Sequence, residues 1–307
     1  MSSSTVLKTT SGWSPATRGW LLGALGVGIF ALSIPMTRLA SGSAAEPQLP
    51  AVFVAIGRAA LAGLFAALWL LGTRAPRPRP QQWRPLALTA LGVVFGWPLL
   101  LGFAVLHVDA VHASVVTGVL PIATAATGAL LLRQRASLGF WLCALLGTTL
   151  VLGFAWWKGG AGFQAADALL LGAVLFGGYG YVQGARLSIG PQALAPEQVI
   201  CWVLVLSLPL TLPIALMHWP TAPVRASAWG GFLYVSLFSM WLGFFAWYRG
   251  LALGGTLRVS QVQLLQPFLS MWFAVPLLGE TLDAATLVFS LAVMATVFIS
   301  KRMAVRS

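Results

Sequence analysis

Arg58 is the basic residue that falls well inside an apolar run, in PAVFVAIGRAAL. A helix opening at residue 51 would carry it about 10 Å deep at 1.5 Å per residue. Two readings stand. The side chain snorkels to the headgroups or pairs with a neighbouring helix end, or it faces an interior cavity and attracts a carboxylate. Amides form a second group: Gln261, Gln263 and Gln266 precede Pro267 in one apolar stretch. Lipid offers an amide no partner, so each must find one inside the protein. Gln263 and Gln266 are three apart and share a helical face. They either line the interior or hydrogen-bond between helices. In GGYGYVQGAR, Tyr179 and Gln183 are four apart on one face, among glycines that permit close packing. Trp97, Trp241 and Trp272 fall near the middle of apolar runs, away from the usual aromatic belt. Lipid-facing bulk, helix packing and an aromatic-lined cavity all account for them.

Other chemistries lack their residues. There is no phosphate-binding glycine loop and no metal-spaced Cys/His cluster, so neither a metal nor a cofactor is expected. The two cysteines, Cys143 and Cys201, sit in apolar runs as small core residues. His107, His112 and His218 fall at the ends of runs and read as interfacial polar residues. The six acids are Glu46, Asp109, Asp167, Glu197, Glu280 and Asp283, and all fall in loops or at helix ends. Ion-coupled carriers commonly keep a buried carboxylate for the ion. Its absence favours a facilitator or exchanger.

The elements that would position these residues follow from composition. Hydrophobic residues make up 59% of the 307 and charged residues 8%, against about 25% charged in soluble domains. This excludes a soluble fold and predicts an all-α integral membrane protein. The net charge of +12 lies in short clusters between apolar runs, which sets topology and does not suggest nucleic acid. Stretches of about 20 apolar residues suffice to span a bilayer. They predict helices at 19–39, 51–72, 85–106, 113–132, 138–157, 167–187, 197–217, 229–249, 257–278 and 282–300. With residues 1–18 cytoplasmic, fourteen of the 18 Lys and Arg fall inside. Arg38, Lys158 and Arg225 fall outside. This positive-inside bias also puts 301–307 in the cytoplasm.

The chain repeats itself. Ala113–Ser137 and Val259–Asp283 share a layout 146 residues apart: Ser114 matches Ser260, Pro121 matches Pro267, and Leu131-Leu132 matches Leu277-Leu278. Each copy runs from small residues through a mid-segment proline to a polar exit. The expected units are 19–157 and 167–300, joined by an external linker at 158–166. Five helices per unit is an odd number, so the second copy enters the membrane inverted, as in many secondary transporters. Pro121 and Pro267 then become symmetry-related kinks and expected hinges.

On these residues the chain resembles the EamA-type members of the drug/metabolite transporter superfamily, over about 19–300. The likeness rests on the Pro121–RQRAS region, on VSQVQLLQPFLSMWFAVPLLGETLD, and on PAVFVAIGRAAL. The first helix, GIFALSIPMTRLA, lacks the tryptophan-led aromatic motif of many members. The resemblance implies export or exchange of small metabolites such as amino acids, nucleotide precursors or sugar phosphates. The expected partners are a small-molecule substrate and the bilayer of the inner or plasma membrane. The expected binding residues are Arg58, Trp97, Tyr179, Gln183, Trp241, Gln263 and Gln266. The competing reading is a membrane-embedded enzyme acting on lipid-linked intermediates, which would need acid, base or metal groups at the membrane face.

Overall fold

A computed structural model of the chain describes residues 13–131, 135–158, 164–188, 191–254, 261–302 and 305–306. The 158–166 linker, the RQRAS turn and the side chain of Gln261 lie wholly or partly outside the described residues. The described chain is helical, apart from Arg135–Ala136, which pairs antiparallel with Val305–Arg306.

Among the described residues, seven helical runs are long and apolar enough to cross a membrane: α1 (Pro15–Ser41), α2 (Phe53–Gly72), α3 (Pro80–Ala104), α4 (Ala110–Leu131), α6 (Ala165–Leu187), α7 (Pro196–Met217) and α8 (Ala226–Leu253). Between and after them come α5 (Leu138–Lys158), α9 (Gln266–Leu278) and α10 (Ala284–Arg302). Leu, Ala, Val and Phe fill most faces of these helices. Their outer sides present large apolar residues such as Leu68, Leu71, Leu145, Leu216 and Val288. Loops near residues 42–50, 105–109, 218–225 and 279–283 gather at one end. There Ala44 N–H donates to Leu106 C=O, and Arg225 reaches Glu46. At the other end Gln82 donates to the Gln192 carbonyl, across the loops that follow α2 and α6.

The helices pack mainly between the first and second halves of the chain. α1 runs along α8, α3 along α6, α2 along α7, α5 along α10, and α4 against α9. Glycine makes the closest approaches possible. A Cβ on Gly92 would lie 2.5 Å from the Gly180 Cα, and one on Gly26 would lie 3.1 Å from the Trp247 backbone nitrogen.

Several helices are interrupted. α4 stops at Thr117 and restarts at Leu120. α9 restarts at Gln266 after a 3₁₀ segment, Gln261–Leu265. The two restarts are 146 residues apart, and each is followed at once by a proline, Pro121 and Pro267. A proline has no N–H to offer the carbonyl four residues back, so the interruptions have a local cause. π-helical segments occur at Phe53–Gly57, Leu91–Gly96 and Val235–Leu242. Such segments widen a helix locally and often sit at functional sites. The first ends at Arg58 and the second at Trp97.

Candidate functional site

Three clusters make up the core, and two of them meet. One is built around Val116, Phe154, Leu170 and Met271. The other is built around Val27, Ala62, Val94, Leu204 and Trp247. Tyr181 packs against both. At this junction the apolar packing gives way to two small polar cavities.

The first cavity, of about 10 Å³, is where the two helix interruptions meet. Thr117, Leu120 and Pro121 come from α4, and Gln263, Gln266, Pro267 and Ser270 from α9 and its 3₁₀ turn; Ile34 and Trp97 complete the lining. The second cavity, of about 20 Å³, contains Arg58, Tyr181, Ser33 and Ser239 among aromatic residues Phe30, Trp97 and Phe244. Trp97 and Gln266 line both. Each space is about the size of one water, so a solute enters only as the helices part.

Arg58 is buried, with 3% of its surface exposed. Its Nε has no hydrogen-bond partner among the described residues. Among the described residues no carboxylate lies within 4 Å of its guanidinium. Arginine stays charged under all ordinary conditions, so the second cavity holds an uncompensated positive charge. Neither lining includes an acid. Gln263 is likewise buried, and its Nε2 has no partner among the described residues. The hydroxyls beside Arg58 are partly engaged: Ser33 and Ser239 bond to each other at 2.6 Å. Across the first cavity, Ser114 Oγ donates to Ser270 Oγ at 2.8 Å.

The structure thus brings together Arg58, Trp97, Gln263 and Gln266 with the prolines Pro121 and Pro267. It places the other expected residues elsewhere. Gln183 Nε2 donates to the Tyr179 hydroxyl at 3.1 Å, and neither residue lines these two cavities. Trp241 Nε1 donates to Cys201 Sγ at 3.3 Å, and its ring packs on Phe65 and Phe245. Trp272 faces outward, 74% exposed. Lining residues outside the expected binding set are Tyr181, Phe30, Phe244 and the Ser33–Ser239 pair. Tyr181 carried a usable signal: it lies four residues from Gly177, and both line the second cavity.

A third cavity, of about 230 Å³, opens at the end where loops 105–109 and 279–283 gather. His107, Asp109, His112, Gln164, Glu280 and Thr286 line it. Its charged groups are held. His112 Nε2 lies 2.7 Å from buried Asp167 Oδ1, whose Oδ2 accepts from the Gln164 N–H. Glu280 accepts the N–H groups of Ala110 and Val111 at 2.8 and 2.7 Å, capping α4 from the other half of the chain. Burial pushes its carboxyl above the usual carboxylate range, against the pull of these two bonds. Arg38 bonds the Val105 carbonyl and lies 3.8 Å from Asp109. All six acids stand in loops or in the first turn of a helix, as the sequence suggested.

Comparison with known proteins fits this architecture. The family model described as the EamA-like transporter family matches the chain twice, over residues 17–161 and 164–301. A protein named "Uncharacterized transporter YdeK", from Bacillus subtilis (strain 168), is 42% identical over 290 residues, covering 94% of this chain and 98% of that protein. A solved structure described only as "Crystal structure of protein" is 17% identical, with a TM-score of 0.64 over 94% of this chain and 99% of its own. That last likeness concerns the fold alone.

Proposed function

The chain belongs to the EamA-like transporter family within the drug/metabolite superfamily, and we propose that it moves small amphipathic metabolites, amino acids foremost, by alternating access. It is a multi-pass membrane transporter and not an enzyme; the reading as an enzyme of lipid-linked intermediates finds no support. The observation that carries the proposal is the meeting of two helix interruptions, 146 residues apart, at a polar cavity between the halves.

In our reading the membrane is crossed ten times by two inverted five-helix units. The double family match supports two units. The inversion is supported by the pairing of α1 with α8 and α3 with α6, which an exchange of the halves interconverts. The π segments at Leu91–Gly96 and within Val235–Leu242 fall at equivalent places as well. The charge bias puts the Glu280 end outside and both termini in the cytoplasm of the inner membrane. Such a carrier binds its solute midway and rocks one unit against the other. Pro121 and Pro267 flank the cavity and are the proposed hinges. The lining offers aromatic walls and neutral amides, which suit a solute with an apolar body and a hydrogen-bonding head.

With no acid in the lining, no residue there is suited to carry a driving proton. Purified protein in liposomes is expected to accumulate labelled amino acids down their own gradient alone. Strict dependence on an imposed pH or sodium gradient would reject the facilitator reading.

A further inference from the structure

The sequence left Arg58 with two readings, and its setting in the structure is specific. It is buried, its Nε is unpartnered, and it lines a cavity that contains no acid. A lone charge in so poorly solvated a place costs several kcal/mol. Proteins keep such groups at sites where a ligand supplies the missing partner. We infer that Arg58 is the clamp for a solute carboxylate, so that the transported class carries a single carboxylate at its head and is apolar in its body. This rests on the transporter reading above and narrows it.

Three features fix the class. First, one guanidinium balances one negative charge, and the second cavity's lining holds no other cation. A carboxylate fits that balance and a phosphate dianion does not. Second, guanidinium nitrogens match the two carboxylate oxygens as a fork. Nε can supply one tine. Third, Ser33 and Ser239 share one hydrogen bond. Two hydroxyls carry two protons, so one remains to donate to an incoming oxygen. Beyond the head, Trp97, Phe30 and Phe244 offer the apolar body a wall. The first cavity lies past Gln266 and Trp97. There Pro121 and Pro267 deny the carbonyls of Thr117 and Gln263 their usual helical donors. Those carbonyls would accept a donor at the far side of the head, such as an amino group.

The test uses matched pairs of compounds that differ only at the head: phenylalanine with phenylalaninamide, leucine with leucinamide, and 3-phenylpropionate with 3-phenylpropionamide. Ligand-dependent thermal stabilisation is measured on the purified protein in detergent. The carboxylate members are expected to bind at least about tenfold more tightly than their amides, as a charge-assisted contact implies. Arg58→Gln should erase that preference, and Arg58→Lys should keep part of it. The ligand-free Arg58→Gln protein should melt no lower than the wild type, because an unpaired buried charge has been removed. A purely structural arginine would give the opposite. Equal binding of the amides, an undiminished preference in Arg58→Gln, or a lower ligand-free melting temperature would each overturn the clamp. Flux of labelled phenylalanine and leucine into proteoliposomes separates the two claims. Flux without a carboxylate preference leaves the transporter and removes the clamp. Absence of both flux and binding removes both.

Discussion

The central cavities and the outer vestibule are built from similar materials with opposite outcomes. Both contain charge and amide or imidazole groups between the two halves. At the vestibule, Asp167 meets His112 at 2.7 Å, and Glu280 takes two backbone N–H groups at the start of α4. In the centre, Arg58 Nε and Gln263 Nε2 have no hydrogen-bond partner among the described residues. Satisfied charges hold elements together. Unsatisfied ones, in a place where lipid and packing offer nothing, wait for something mobile. Size separates the regions too: about 230 Å³ of vestibule leads toward about 10 and 20 Å³ of interior. In the proposed account the vestibule is a way in and a closing surface, and the interior is where selection happens.

That contrast is broken or sharpened by substitution. Replacing Gln263 and Gln266 together with Leu should cut proteoliposome flux by about tenfold, since each lost hydrogen bond is worth about 0.5–1.5 kcal/mol. The variant should still insert and purify as the wild type does. Wild-type flux in this double variant would remove the amides from the site.

Asp167→Asn tests the other region. It weakens the contact to His112 and the acceptance of the Gln164 N–H. We expect a loss of about 1–3 kcal/mol of stability from the disturbed buried network, read by denaturation in detergent micelles. Carboxylate-over-amide selectivity should be unchanged. A change in selectivity with intact stability would move the site to the vestibule.

The smallest effect is expected at Trp241. It lies off the cavities against Phe65, Phe245 and Cys201. Trp241→Phe keeps the aromatic packing and loses one weak bond to sulfur, so flux should change by less than about twofold. A larger loss would show that the aromatic wall of the site extends beyond Phe244 to Trp241.

Much of this was legible in the sequence, for physical reasons. Arg58, Gln263 and Gln266 stood out because polar groups are costly inside an apolar helix, whichever way they point. Pro121 and Pro267 stood out because proline acts on its own backbone, and the repeat of their surroundings marked them as equivalent. Direction was harder to read. Tyr179 and Tyr181 point to nearly opposite sides of one apolar helix, which has no polar side to set its phase, and the structure turns Tyr181 toward the cavity. Ser33 and Ser239 meet across 206 residues, a pairing that no local pattern announces. The same holds for His112 and Asp167, which read as ordinary interfacial residues. The expected helix at 257–278 appears as a 3₁₀ segment followed by α9. Hydropathy sees the apolar run and is blind to the break within it.

The central claim is that the solute sits where the two interruptions meet and not in the vestibule. Single cysteines at Thr117, in the first cavity, and at Thr286, in the vestibule, test it on a background with Cys143→Ala and Cys201→Ala. The alkylation rate of each is measured with a small thiol reagent, with and without the labelled amino acid that proteoliposomes take up. The account predicts that the solute slows labelling at position 117 and leaves position 286 unchanged. Protection at 286 with none at 117 would contradict it.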